Sequence, residues 1–348
     1  MSRNARLQLL LFALLAGLGR AVAVDFVPAP ATNPVARVVV AQGDHLLQAF
    51  LPDEAQLAPV FERGLTNLTH TTTASAAWLT LIKTNDVVGI KVFSEPGPLT
   101  GTHPGLVAVL VRSLLTAGFS TNQIVIWDKR RDDLHQSGFD RLGAELGVAV
   151  VGTMETGFDT NAFYLPDSPV MGSLVWGDTE FQQKGDGLGK KSYVSRLVSQ
   201  RLTKLISVAP LINDPAAGVC GHFYSLGLGS VDNTRRFEGD PDRLAVALPE
   251  LIALPQLGDR VALYVTDALL VQSQGGPASF LQYSTVLDQV WLSHDPVALD
   301  MLASQQVLRE RQASHAPPAK MNFEIYTNAA MLQLGIQNPN HIQVETVR

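Results

Sequence analysis

Apolar and polar positions alternate along this chain in two rhythms. Val87 to Phe93 is an almost unbroken apolar, β-rich run. A Gly/Pro-containing loop, Ser94 to His103, follows it. Then Leu106, Val107, Val109, Leu110, Val111, Leu114 and Leu115 recur at helical spacing. Thr102 is placed to cap that helix, Pro104 falls in its first turn and Gly118 closes it. Ile124 to Trp127 reads as the next strand. Leu134, Phe139, Leu142 and Leu146 mark a second helix, and Val148 to Val151 a third strand. Strand–helix–strand–helix–strand predicts parallel pairing through right-handed crossovers. Strands apolar at nearly every position suit a sheet covered on both faces. The expected fold class is α/β, with a largely parallel, doubly wound sheet.

Elsewhere the pattern is more broken. Residues 37–41 predict a short strand and Glu54 to Leu65 a helix, while the Thr-rich patch Thr69 to Thr73 fits no element. Residues 153–192 turn to Gly, Pro, Asp and short apolar runs such as Val170 to Trp176, which predicts a β-rich insertion; Gly185 to Lys191 reads as a loop within it. The α/β rhythm resumes with strands at Leu205–Ala209 and Arg260–Thr266 and a helix at Leu244–Leu254. A last helix opens at Asp295-Pro296 and runs to about Arg311. The expected organisation is a signal peptide over 1–23, an N-terminal extension over 24–85 packed on the core, and an α/β domain over 86–348 carrying the insertion 153–192.

The first residues bear on compartment. Arg3 and Arg6 form a positive n-region, Leu7 to Leu18 an apolar h-region, and Ala21-Val22-Ala23 a cleavage site. The apolar run is shorter than the ~20 residues of a membrane span. No Cys follows it and the two arginines are separated, so neither a lipoprotein anchor nor a twin-arginine signal is expected. Export to the periplasm or the extracellular space follows, with no stable membrane anchor after cleavage. Formal net charge is −6, which disfavours nucleic acid, because a phosphate backbone needs a basic face. Cys220 is the single cysteine, so no intramolecular disulfide and no four-Cys iron–sulfur cluster is expected.

Common catalytic signatures fail. Gly185 to Lys190 resembles a phosphate loop, but Lys184 and Lys191 stand where Gly and Ser/Thr are needed. There is no G-x-G-x-x-G after the first strand, no G-x-S-x-G and no H-E-x-x-H. What survives is positional. Ligands in open parallel sheets bind beyond the carboxyl ends of strands. Lys91, Asp128 and Asp267 are each expected there. His103 and Thr102 sit at a helix N-terminus that favours an anion, and Lys129 and Arg130 follow Asp128. In this reading Lys91, Asp128 and His103 do chemistry, Thr102, Lys129 and Arg130 bind the substrate, and Asp128, Asp214 and Asp267 hold a divalent metal. The competing reading is an internal salt-bridge network with no ligand. Residues 210–238 add Asp214, His222 and Glu238 as alternative metal ligands, and Cys220 as either a nucleophile or a small buried thiol.

An ordered set of motifs resembles the family catalogued as domain of unknown function 362. It comprises Val88-Gly-Ile-Lys-Val92, Thr102-His-Pro104, Ile124-Val-Ile-Trp-Asp128, Leu205 to Pro210 with Asp214 and Ala217-Gly-Val219. Val265-Thr-Asp267, Gly275-Gly-Pro277 and Ser293 to Asp300 complete it. The resemblance implies an α/β fold, frequent export and no settled reaction. Where it implies a Lys-Asn pair, this chain has Tyr224-Ser225; where it implies a later His, it has Glu238. Two functions stay open: an exported enzyme acting on a small anionic substrate with a divalent metal, and a non-catalytic exported protein binding a small molecule in the same cleft.

Overall fold

A computed structural model of the chain describes residues 35–165 and 191–348, all within one compact unit. The strands are β1 Ala36–Gln42, β2 Leu47–Gln48, β3 Leu51–Pro52, β4 Val88–Val92, β5 Ile124–Asp128, β6 Ala149–Gly152 and β7 Phe158–Tyr164. They continue with β8 Ser192–Ser195, β9 Lys204–Asp214, β10 Gly218–Val219, β11 Val261–Gln272, β12 Ser284–Ser293 and β13 Ile342–Val347. The central sheet runs β13-β1-β12-β11-β9-β4-β5-β6, with β10 paired to β9 beside this path. Along the path β12 alone runs against the others, among the described residues. The reason is its connection: Ser273–Tyr283 returns the chain as a hairpin, whereas the other neighbours are reached by crossovers. The fold is a mostly parallel α/β sheet with helices on both sides.

Strand alternation divides the core into two layers. Val39, Ile90, Ile126, Ile206, Val265 and Leu292 face the helices Glu54–Thr69, Ala74–Leu81, Pro104–Thr116 and Phe139–Leu146. Val38, Val125, Trp127, Leu205, Tyr264 and Trp291 face the helices His222–Ser230, Pro241–Ile252, Pro296–Ala313 and Glu324–Met331. These side chains are buried, and each contributes about 1.5–3 kcal/mol of hydrophobic stabilisation. These two layers are the first and the second face of the sheet, in that order.

Several expectations need correction. Residues 36–42 are not an extension packed on the core; β1 lies inside the sheet, between β12 and β13. The Thr-rich patch is a junction: one helix ends at Thr69, and the Thr73 side chain caps the next by accepting from the Ala76 N–H. The helix through Leu134 and Leu146 is two, Arg131–Gln136 and Phe139–Leu146, broken at Gly138 with φ 86°. Asp295 caps its helix as expected, accepting from the Ala298 N–H at 2.9 Å. Within 153–192 the described residues hold a short helix, Thr153–Thr156, and β7, which pairs antiparallel with β8 beginning at Ser192. The signal peptide over 1–23, the run Val170 to Trp176 and the loop from Gly185 lie outside the described residues. No helix among the described residues is long and apolar enough to cross a membrane.

Candidate functional site

β4 and β5 are neighbours, and Lys91 is registered against Trp127 on one side and Ser207 of β9 on the other. Lys91 points to the second face, under the helix His222–Ser230. Its ammonium donates to three acceptors: Asp128 Oδ1 at 2.7 Å, the Val92 carbonyl at 2.6 Å and Ser225 Oγ at 3.0 Å. Three protons meet three oxygens, so the charge is fully hydrogen-bonded. Burial pulls the Lys91 pKa down and the Asp128 charge pulls it back up. The approach is close: a Cβ at position 229 would stand 2.1 Å from Lys91 Cε, and Gly229 is what lets the helix cross there.

Asp128 ends β5, as expected. Besides Lys91 it accepts from the Lys129 N–H at 2.7 Å, the Ser94 N–H at 2.8 Å and the Ser94 hydroxyl at 2.7 Å. Beyond it opens a cleft of about 400 Å³. Its walls come from the loop at Glu95, Lys129 and Arg130 with the first residues of the helix Arg131–Gln136, the helix carrying Tyr224, Ser225 and Gly229, and the segment Asp232–Glu238. Lys129 enters this cleft. Its Nζ donates to Thr234 Oγ1 at 2.7 Å, and the Thr234 hydroxyl donates to Glu238 Oε2 at 2.7 Å. No carboxylate comes close enough to pair directly with Lys129 among the described residues. Burial pushes its pKa down to about 8, against the opposing pull of Glu238. At the mouth, Glu95 is pushed upward by partial desolvation and then by the negative charges of Asp133, Glu238 and Asp128.

The other expected site residues lie elsewhere. β11 runs past Thr266 to Gln272, so Asp267 is inside a strand rather than at its end. Alternation turns it to the first face, with Leu263 and Val265, opposite Lys91. There its Oδ2 takes the His103 backbone N–H at 2.8 Å and faces His103 Nδ1 at 2.9 Å. Both residues are sealed in the core and neither lines the cleft. Thr102 does not cap the helix behind it. Its hydroxyl accepts from the Phe93 N–H at 2.9 Å and donates to the Val208 carbonyl at 2.8 Å, tying β4 to β9. His103 is the N-cap, without a side-chain cap bond. Asp214 holds the turn to β10, accepting from the Ala216 and Ala217 N–H groups at 2.8 and 2.7 Å.

The metal assignment therefore does not fit. The oxygens of Asp128 are occupied, Asp267 is on the other face, and Asp214 serves a turn. Among the described residues no three His, Cys, Asp or Glu are grouped to hold a metal ion. Of the alternative ligands, Asp214 serves its turn, Glu238 accepts from the Thr234 hydroxyl, and His222 is held between Ser207 Oγ at 2.9 Å and Thr266 Oγ1 at 3.1 Å. Burial lowers the His222 pKa to about 3, so it is neutral. Cys220 is buried and its thiol is pushed well up by burial, which keeps it protonated and unreactive.

No family model matches the chain, and no curated protein matches it in sequence. Among solved structures, a crystal structure of a protein from Thermotoga maritima resembles it with a TM-score of 0.37 and 14% identity. The match covers 78% of this chain and 61% of that one.

Of the expected residues, Asp128, Lys129 and Arg130 share the cleft and Lys91 lies directly beneath it. Thr234 was missed; it sits in the polar run Asp232–Glu238, and that run was the available signal. Ser225 stood out in the sequence only beside the motifs of the resemblance, and Glu238 there and as an alternative metal ligand. Nothing local to these residues says that their segment folds back over β4 and β5.

Proposed function

We propose that this is an exported protein whose cleft beyond β4 and β5 binds a small molecule carrying an anionic group. The observation that carries the reading is Lys129: a cation in a cleft of about 400 Å³, bonded to a hydroxyl rather than a carboxylate. An anionic group entering there gains a charge-assisted hydrogen bond without first breaking an ion pair. Ser225 adds to this, because its oxygen already accepts from Lys91 and its own proton is left to donate. Acids outnumber bases around the opening, so selectivity rests on these short-range donors and not on long-range attraction. The n-region, h-region and Ala21-Val22-Ala23 support export. The ordered motif set supports a relation to the domain of unknown function 362 family, which fixes no reaction.

Binding without turnover is favoured over metal-assisted catalysis by the internal pairing of Lys91, Asp128, His103 and Asp267. A second reading, turnover of the bound molecule, has one observation in its favour: the lowered pKa of Lys129. Calorimetric titration with acetate, oxalate, succinate and inorganic phosphate tests the binding reading. At least one should bind once per chain, weaken with salt, and lose about 10- to 100-fold in affinity in Lys129→Met. Heats that are absent throughout, or unchanged by that substitution, defeat it.

A further inference from the structure

We propose that Lys129 is an imine-forming lysine, and that the cleft's ligand is a small aldehyde or ketone bearing a carboxylate or phosphate. The inference rests on the cleft-binding reading above and adds the chemistry of the bond. It starts from placement. Lys129 follows Asp128 at the end of β5, and its backbone N–H is fixed on Asp128 Oδ1 at 2.7 Å. The side chain is thus launched into the cleft from an anchored point. At the far end, Nζ is held by Thr234, which is held by Glu238. Most of the other lysines of the described chain differ: Lys91 is spent on three acceptors, and Lys83 and Lys320 stand in solvent.

Imine formation needs a neutral amine, a carbonyl carbon within reach and a path for protons. Burial supplies the first, lowering the pKa of Lys129 to about 8. The cleft supplies the second, and Arg130 at its edge provides a cation for the substrate's anionic group. The chain Lys129–Thr234–Glu238 supplies the third. In the reaction the amine nitrogen bonds to the carbonyl carbon and gives a carbinolamine. The carbon–oxygen bond then breaks, and the oxygen departs as water carrying the two protons that began on the amine. No oxidant or reductant takes part. Thr234 touches the amine, orients it and hands its proton toward Glu238, and the negative charge of Glu238 sets how readily the amine gives that proton up.

The probe is glyoxylate, an aldehyde with a carboxylate, trapped on the full chain with sodium cyanoborohydride and located by peptide mass. At pH 8 the adduct should form on Lys129 about tenfold faster than on the exposed Lys83 and Lys320, which act as internal controls. Lys129→Arg should remove that adduct while its melting curve confirms folding. Glu238→Gln should move the rising limb of the trapping profile to lower pH, since the lost negative charge had held the proton on Lys129. A purely structural role for Glu238 would leave the profile in place. Labelling of Lys129 no faster than the two controls, or a profile unmoved by Glu238→Gln, overturns the inference. Titration of the same preparation with acetate, oxalate, succinate and inorganic phosphate separates the two levels. Binding of any of them without an adduct defeats the imine and leaves the binding reading standing; no adduct and no heat with any of the four defeats both.

Discussion

Two buried acid–base pairs sit on opposite faces of one sheet and do different work. Lys91–Asp128 closes at 2.7 Å under the helix His222–Ser230, with a cleft immediately beyond it. His103–Asp267 closes at 2.9 Å at the start of the helix Pro104–Thr116, with packed side chains around it. By exposure alone they are alike, since Lys91, Asp128, His103 and Asp267 are all buried. What separates them is the end of the strand. β5 stops at Asp128, and the chain turns away and leaves space. β11 continues five residues past Asp267, so the pair is roofed by its own strand. A charged residue near a strand end becomes part of a site only where the strand really stops.

The strongest way to break this comparison is Lys91→Met. It leaves Asp128 buried with backbone and hydroxyl donors but without its cation. Removing one partner of a buried pair costs about 3–5 kcal/mol, and a denaturant titration should show a loss of that order. A loss below about 1 kcal/mol would mean that Asp128 is solvated through the cleft.

Asp267→Asn is the counterpart on the first face. The His103 backbone and ring lose a charged acceptor, at a cost of about 1–3 kcal/mol. Ligand affinity in the cleft should be unchanged within twofold. A parallel loss of binding would show that the two faces are coupled rather than independent.

Asp300 sharpens the contrast, being a buried carboxylate with no cation paired to it among the described residues. It accepts the His222 and Phe223 N–H groups at 2.8 and 3.1 Å, at the start of the helix that covers Lys91. Burial pushes its pKa up to about 7 from an ordinary value of 3.8. The folded state therefore holds this proton more tightly than the unfolded state. The associated stability is fully present below pH 3.8 and is lost as pH rises toward about 7. Compared with Asp300→Asn, the natural chain should gain stability as pH falls from 7 to 4. Equal slopes for both proteins would assign the titration elsewhere.

The smallest effect belongs to Glu95→Gln at the cleft mouth. Relieving its repulsion with Asp133 and Glu238 should raise stability by about 0.5 kcal/mol or less, read as a small rise in the denaturation midpoint. A clear destabilisation would show that Glu95 has a favourable partner.

Much of the fold was legible in the sequence because it is a matter of local pattern. The run Val88–Val92, the helix after Pro104 and the strand Ile124–Asp128 each carry their own periodicity and boundaries. β12 and β13 went unread. β12 has exposed and half-buried positions over its first residues, and β13 is an edge strand without a buried residue, so neither shows a clean apolar period. The helix break at Gly138 was missed because the apolar spacing runs straight across it, while a positive φ there ends one helix and starts another.

For the site, the sequence by itself determined that Lys91 and Asp128 stand at the ends of adjacent parallel strands, followed at once by Lys129 and Arg130. Pattern and crossover handedness suffice for that. Only the tertiary structure decided which face Asp267 looks toward, because that depends on where β11 stops and on the parity of its residues. The tertiary structure also brought Ser225, Thr234 and Glu238, about a hundred residues downstream, over the same strand ends. The physical reason is range. A periodicity records which neighbours along the chain share a surface, whereas a cleft is made by segments whose meeting depends on the packing of the whole second face.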